Sequence, residues 1–257
     1  GGASHTFIMN AGQKTFSYTP PTGFSAWQQD NLPETAKGLS GLVWIKNRDV
    51  ARVHHLYDSS RGQGNRLVPN DTNAENYVTS GLFKFLKGGC AVGDSTTVNE
   101  SGKSMVAWNW VANGGTTASN SNGSITSTVQ ANTTAGFSIV QFTGTGAAAT
   151  VGHGLSSAPE WIVCKNLEDT ASWAVYHKDM TSAAYTLFLN TTAAQTSSSA
   201  MWNSTEPTSS VINVGANYAS NGSSQKMVHY CWHSVDGFSK FGKYTGNGVS
   251  DGPFVYT

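Results

Sequence analysis

Short apolar and polar runs alternate along this chain, broken by Gly, Asn, Asp, Ser and Pro. In an extended strand, residues i, i+2 and i+4 share a face. The run Met105 to Trp110 therefore sets Val106, Trp108 and Trp110 on one face. The run Met227 to Trp232 does the same with Val228, Tyr230 and Trp232. A large aromatic or β-branched residue at every second position marks a core face. The opposite faces, Met105, Ala107 and Asn109 or Met227, His229 and Cys231, are mixed, which predicts partial cover. Leu42 to Asn47 is largely apolar on both sides and is expected to be a central strand. Polarity comes from Ser, Thr, Asn and Gly rather than from the Glu, Lys and Arg that clothe surface helices. The pattern predicts an all-β chain with no long helix, as in sandwiches and barrels.

The runs recur in order. Gly-Phe-Ser occurs at 23–25, 136–138 and 237–239. Lys46-Asn47 and Lys165-Asn166 are 119 positions apart, as are the segments ending in Tyr57 and Tyr176. Leu67 to Asn70 matches Leu187 to Asn190 at an offset of 120, and the two Met-to-Trp runs match at 122. Fixed-period similarity of this kind implies duplication. We expect two tandem, similar antiparallel β-sandwich modules of jelly-roll or lectin-like type, at residues 23–112 and 136–236. Residues 113–135, which open on a Gly, Ser, Thr and Asn stretch, are expected as a linker or loop. Residues 237–257 read as the start of a third repeat, or as strands that complete a sheet elsewhere. In either case Phe238, Phe241 and Tyr244 need cover from the second module or from a neighbouring subunit.

Composition narrows the classes. Only 12% of residues are charged and the formal net charge is zero, so no cationic field exists to hold nucleic acid. No apolar run approaches the roughly 18–20 residues of a membrane helix, and no membrane insertion is expected. Aromatic content of 11% argues against disorder. Three cysteines without CxxC spacing, Cys90, Cys164 and Cys231, are expected to be buried thiols.

Candidate chemistry is sparse. His54-His55 with Asp58, Ser59, Ser60 and Arg61 is the densest cluster. No nucleophile elbow surrounds the serines, and adjacent histidines on a strand face opposite ways. Asp58 and Arg61 are expected to make a turn hydrogen bond and a local ion pair, worth roughly 0–1 kcal/mol if exposed. His153, between two glycines, reads as a buried imidazole bonded to backbone carbonyls. His177 and Asp179 read as a surface pair. Gly144-Thr145-Gly146 and Gly152-His153-Gly154 lack the following Lys-Ser/Thr of a phosphate loop and read as β-turns. The acids are scattered, with no paired-carboxylate motif of the glycosidase kind. The reading is of no catalytic residue, no metal site and no cofactor. Sugars are bound by exposed aromatic rings with amide and carboxylate partners. The aromatics that core alternation leaves over are Trp27, Trp173, Tyr185, Trp202 and Tyr218, our candidate ligand-binding residues.

Several segments resemble a known family. Leu42 to Asp49, Gly152-His153-Gly154-Leu155, Ala158-Pro159-Glu160 leading into Trp161 to Asn166, and Tyr244-Thr245-Gly246-Asn247-Gly248 are similar to those of bacteriophage tail-fibre and receptor-binding proteins, as carried by aquatic phages. The first copy departs from the pattern, with Asn31-Leu32-Pro33-Glu34 and Gly38-Leu39-Ser40-Gly41 before its strand. Residues 1–22 resemble the exit from an upstream lectin-like module. The resemblance implies a virion protein, homotrimeric, joined to other tail proteins and contacting a host-surface glycan or protein. A purely structural virion role and a polysaccharide depolymerase are the alternatives.

Overall fold

The computed structural model describes residues 5–6, 41–86, 89–112 and 116–255. The first half holds β1 (His5–Thr6), β2 (Gly41–Asn47), β3 (His55–Asp58), β4 (Asn65–Arg66), β5 (Asn76–Tyr77), β6 (Leu82–Leu86), β7 (Gly89–Val92), α1 (Thr96–Asn99) and β8 (Met105–Val111). Then come β9 (Ala118–Asn120), β10 (Ser127–Asn132), β11 (Phe137–Thr143), β12 (Ala149–Gly152), β13 (Trp161–Asn166), β14 (Ala174–His177), β15 (Tyr185–Phe188) and β16 (Thr196–Ser197). The last are α2 (Ser199–Trp202), β17 (Val211–Val214), α3 (Tyr218–Asn221) and β18 (Lys226–Trp232). The described residues are all-β with three single-turn helices among them, and every pairing between these strands is antiparallel.

Central strands fall where apolar residues occupy both sides. β2 lies between β3 and β8, and β13 lies between β14 and β18. Their registers repeat. Lys46 faces Val106 and Lys165 faces Val228, while Val43 faces Tyr57 and Ile162 faces Tyr176. Arg66 faces Asn76 as Thr186 faces Thr196. Asn47 Oδ1 accepts the amides of Asp49 and Val50, and Asn166 Oδ1 accepts those of Glu168 and Asp169. The Gly of Gly-Phe-Ser has positive φ at both described occurrences, 66° at Gly136 and 72° at Gly237, which suits a residue without Cβ.

The halves are not beads on a string. The β3-β2-β8 sheet lies against the eight-stranded sheet β16-β15-β14-β13-β18-β11-β10-β9. Leu42, Leu56 and Leu67 share one apolar layer with Val163, Val175, Val228, Tyr230 and Trp232, so matching faces oppose each other. Trp110 meets Trp232 edge-on at 5.8 Å. The outer face of β2 packs with β6, β7 and α1 through Val43, Ile45, Leu82, Val92 and Val98. The outer face of β13 and β18 packs with β12, β17, α2 and α3.

Four expectations change. Within the span expected as a linker or loop, β9 and β10 instead extend the large sheet, with Val129 and Gln130 buried beside β11. His5–Thr6, assigned to an upstream extension, pair with β7 of the first half. The face of Met227, His229 and Cys231 is fully buried beneath the helices rather than partly covered, whereas Trp108 on the expected core face is 44% exposed. Residues 237–255 form no strand: Ser239 bridges back to Val235, Phe241 packs on Trp161 at 5.8 Å, and Phe238 and Tyr244 stay exposed.

Candidate functional site

Trp44 and Trp108 face each other across β2 and β8, with ring centroids 6.0 Å apart and edges toward faces. Trp44 Nε1 donates to His54 Nδ1 at 2.8 Å, which leaves the neutral imidazole proton on Nε2. Burial, then the Lys46 charge, lowers the His54 pKa, so this form holds at neutral pH. The His54 amide donates to Asn70 Oδ1, fixing the ring from behind. Two positions along β2 from Trp44, Lys46 Nζ donates to Asn47 O. The result is one exposed indole, Trp108, backed by the half-buried Trp44, a ring suited to stacking on a sugar or packing on a protein.

At the matching positions of the second half everything is closed. Val163, Tyr230 and Trp173 stand where Trp44, Trp108 and His54 stand, and all three are buried. Trp173 is 0% exposed, and its Nε1 donates to Val68 O and Asp71 O of the first half. Lys165 Nζ donates to Thr72 O and Ala171 O, and burial lowers its pKa to about 8.

The five sequence candidates are not brought together. Trp173 and Trp202 are core residues, which corrects their assignment as ligand-binding rings. Trp202 is 1% exposed and packs edge-on with Tyr176 and His229. Its position matches buried Leu82 at the offset of 120, a signal that outweighs its small polar neighbours. Tyr218 is exposed at the start of α3, and Tyr185 is half-buried in β15. Trp27 lies outside the described residues. Trp108, taken as core from alternation, is an aromatic that the sequence missed as surface, while Trp44 is half-buried and packs on the shared layer.

The His54-His55 cluster divides as strand alternation predicts. His55 faces the other way, fully buried, with Nδ1 2.9 Å from the Tyr57 hydroxyl and its pKa pushed down to about 3 by burial. Asp58 Oδ1 accepts the Ser60 and Arg61 amides, and Asp58 pairs with Arg61. That pair is buried rather than exposed, and it is tied to the second half by the Tyr230 hydroxyl, which donates to Asp58 Oδ2 at 2.6 Å. Burial opposes the Arg61 charge, but Asp58, Tyr230 and Glu75 hold its pKa above the usual value. Ser59 and Ser60 both donate to Gln130 Oε1, so neither hydroxyl is set up by a base.

His153 is buried, with Nε2 3.1 Å from Thr208 O and its pKa lowered by burial to about 4. His177 and Asp179 form a half-buried pair at 3.9 Å. The three thiols are free and buried. Among the described residues no group of three or more His, Cys, Asp or Glu is placed to hold a metal, and no helix is long and apolar enough to cross a membrane.

No curated protein and no solved structure is similar to the chain. A family model described as a domain of unknown function, DUF7483, matches residues 30–257. That span covers both β-sheet halves and the segment beyond them, and the chain belongs to the DUF7483 family.

Proposed function

We propose that this chain is a non-enzymatic attachment module of a virion appendage, of the phage tail-fibre or receptor-binding kind, and that Trp44 and Trp108 contact a host-surface glycan. The observation that carries this is the indole pair held by His54 on a face that its counterpart in the other half uses as core. The resemblance of the strand-entry segments to phage fibres supplies the setting. In this reading the halves are duplicates of one β-sandwich module, packed face to face, and the assembly is a homotrimer joined to other tail proteins.

A glycan array tests it. Wild-type protein is expected to bind a defined set of glycans, and Trp108→Ala is expected to lose that binding while keeping its circular dichroism. Binding unaffected by Trp108→Ala, or by loss of both indoles, removes the reading. Steady release of reducing ends from host polysaccharide, abolished by changing one carboxylate, would make the protein a depolymerase instead. A structural reading draws on the C-terminal segment, where Phe238, Tyr244 and Phe254 are 60%, 67% and 89% exposed and invite a protein neighbour. Native mass unchanged by truncation at Asp236 would argue against that role.

A further inference from the structure

The inner face of the eight-stranded sheet changes character along its strands. On β11, Phe137 and Ile139 are core, and Gln141 and Thr143 follow on the same side. On β18, Trp232, Tyr230 and Val228 are core, and Lys226 follows. Thr128 of β10 pairs with Gln141, with Thr126 one step beyond on that side. An open cleft of about 300 Å3 lies here, lined by Thr126, Thr128, Gln141, Thr143 and Lys226. A volume of this size suits the smallest ligand sites.

The side chains of Thr126, Thr128, Gln141 and Thr143 have no hydrogen-bond partner among the described residues. Thr126, Thr128 and Thr143 are exposed and Gln141 is half-buried, so these groups are open to solvent and to a ligand. Four unengaged groups, each able to donate and accept, therefore converge on one concave surface. Lys226 adds little net charge, because its ammonium lies 3.9 Å from the Glu168 carboxylate. Glu168 also accepts the Lys226 amide at 2.9 Å, which anchors the carboxylate beside it. Phe142 adds no ring face, since its side chain packs in the opposite layer against His229. Hydroxyl and amide groups around a neutralised ammonium match the hydroxyls of an uncharged sugar better than a phosphate or sulfate.

We propose that this cleft binds one ring of a neutral saccharide through hydrogen bonds alone, as a subsite built from residues other than the tryptophan surface. The proposal rests on the glycan-attachment reading and extends it. Without stacking, the affinity for a single ring is expected in the millimolar range, about −4 kcal/mol.

The test titrates the 15N-labelled chain with the methyl α-pyranosides of glucose, galactose and mannose, each to about 100 mM, a span set by that affinity. At least one is expected to shift the backbone amides of Thr126, Thr128, Gln141 and Thr143 and the Gln141 side-chain amide, with saturation. Thr128→Val and Gln141→Leu, with spectra otherwise unchanged, are each expected to weaken binding by about fivefold, the value of one hydrogen bond. Absence of saturable shifts at these residues with all three sugars overturns the proposal. So does a stronger response to inorganic sulfate, or undiminished binding by both variants. The two readings fail separately. Array binding lost in Trp108→Ala with a silent cleft sinks only the cleft, and cleft shifts with no array binding sink only the attachment role.

Discussion

At matching positions the second half presents Trp173, Lys165 and Tyr230, and the first presents His54, Lys46 and Trp108. The backbone frame is the same: the Trp173 amide donates to Asn190 Oδ1, and the His54 amide donates to Asn70 Oδ1. The destinations differ. Trp173 spans the layer and gives its indole N–H to Val68 and Asp71 of the other half. His54 turns back to Trp44 of its own sheet and closes nothing across the layer. One side chain thus becomes a bolt between halves, and its counterpart props up the half-buried Trp44 behind exposed Trp108. The difference teaches that a repeated frame fixes direction, while side-chain reach decides whether a face becomes core or surface.

Several substitutions would break or sharpen that contrast. Trp173→Ala is expected to cost about 3–5 kcal/mol in urea unfolding, as for other buried tryptophans. His54→Ala should cost under about 1 kcal/mol. Equal losses would erase the distinction. Tyr230→Phe removes a hydrogen bond to the Asp58 carboxylate and should cost about 1.5–3 kcal/mol. Trp108→Phe should stay within about 0.5 kcal/mol by the same measurement.

Stability should also follow pH in two windows. Between about pH 8 and 10.5 the unfolded chain carries a proton on Lys165 that the folded chain has shed, so Lys165 contributes a rise of stability with pH, set against the opposite slope of the buried thiols Cys90, Cys164 and Cys231, whose raised pKa holds protons that unfolded thiols lose. Lys165→Met should remove that contribution and steepen the alkaline loss of stability. Between pH 6.5 and about 4, unfolded His153 and His229 take up protons that the buried rings refuse, so stability falls on acidification. His229→Gln should reduce the acid slope, measured as unfolding midpoint against pH. A small effect is also expected at Arg52, whose exposed pair with Glu100 occurs in the first half only, where the second half has Ala171 and Gly222. Arg52→Ala should change stability by about 0–1 kcal/mol.

Much of this frame was legible in the sequence. The matched Lys-Asn, Tyr and Met-to-Trp segments correspond to strands with the same register, because period-two patterning and turn positions fix strand pairing. The buried state of Trp202 was within reach through its alignment with Leu82, but local polarity pointed elsewhere. The exposure of Trp108 was not legible. Alternation gives the face a residue shares, not how far an opposing sheet extends over it. β9 and β10 were hidden because Ser, Thr, Asn and Gln serve edge strands and loops alike, and Val129 alone marks burial there. The polar cleft left no motif, since its threonines are unremarkable in a chain so rich in that residue.

The shared layer has one consequence for dissection. In repeat arrays, stability is a sum over units that can melt one after another. Here Leu42, Leu56 and Leu67 share their apolar layer with the far half, so parting the halves uncovers that layer on both, although each keeps its own outer cluster. Heating should therefore melt both in a single cooperative transition, with calorimetric and van't Hoff enthalpies in agreement. Expressing either half by itself should give a loosened, dye-binding species rather than a small native protein.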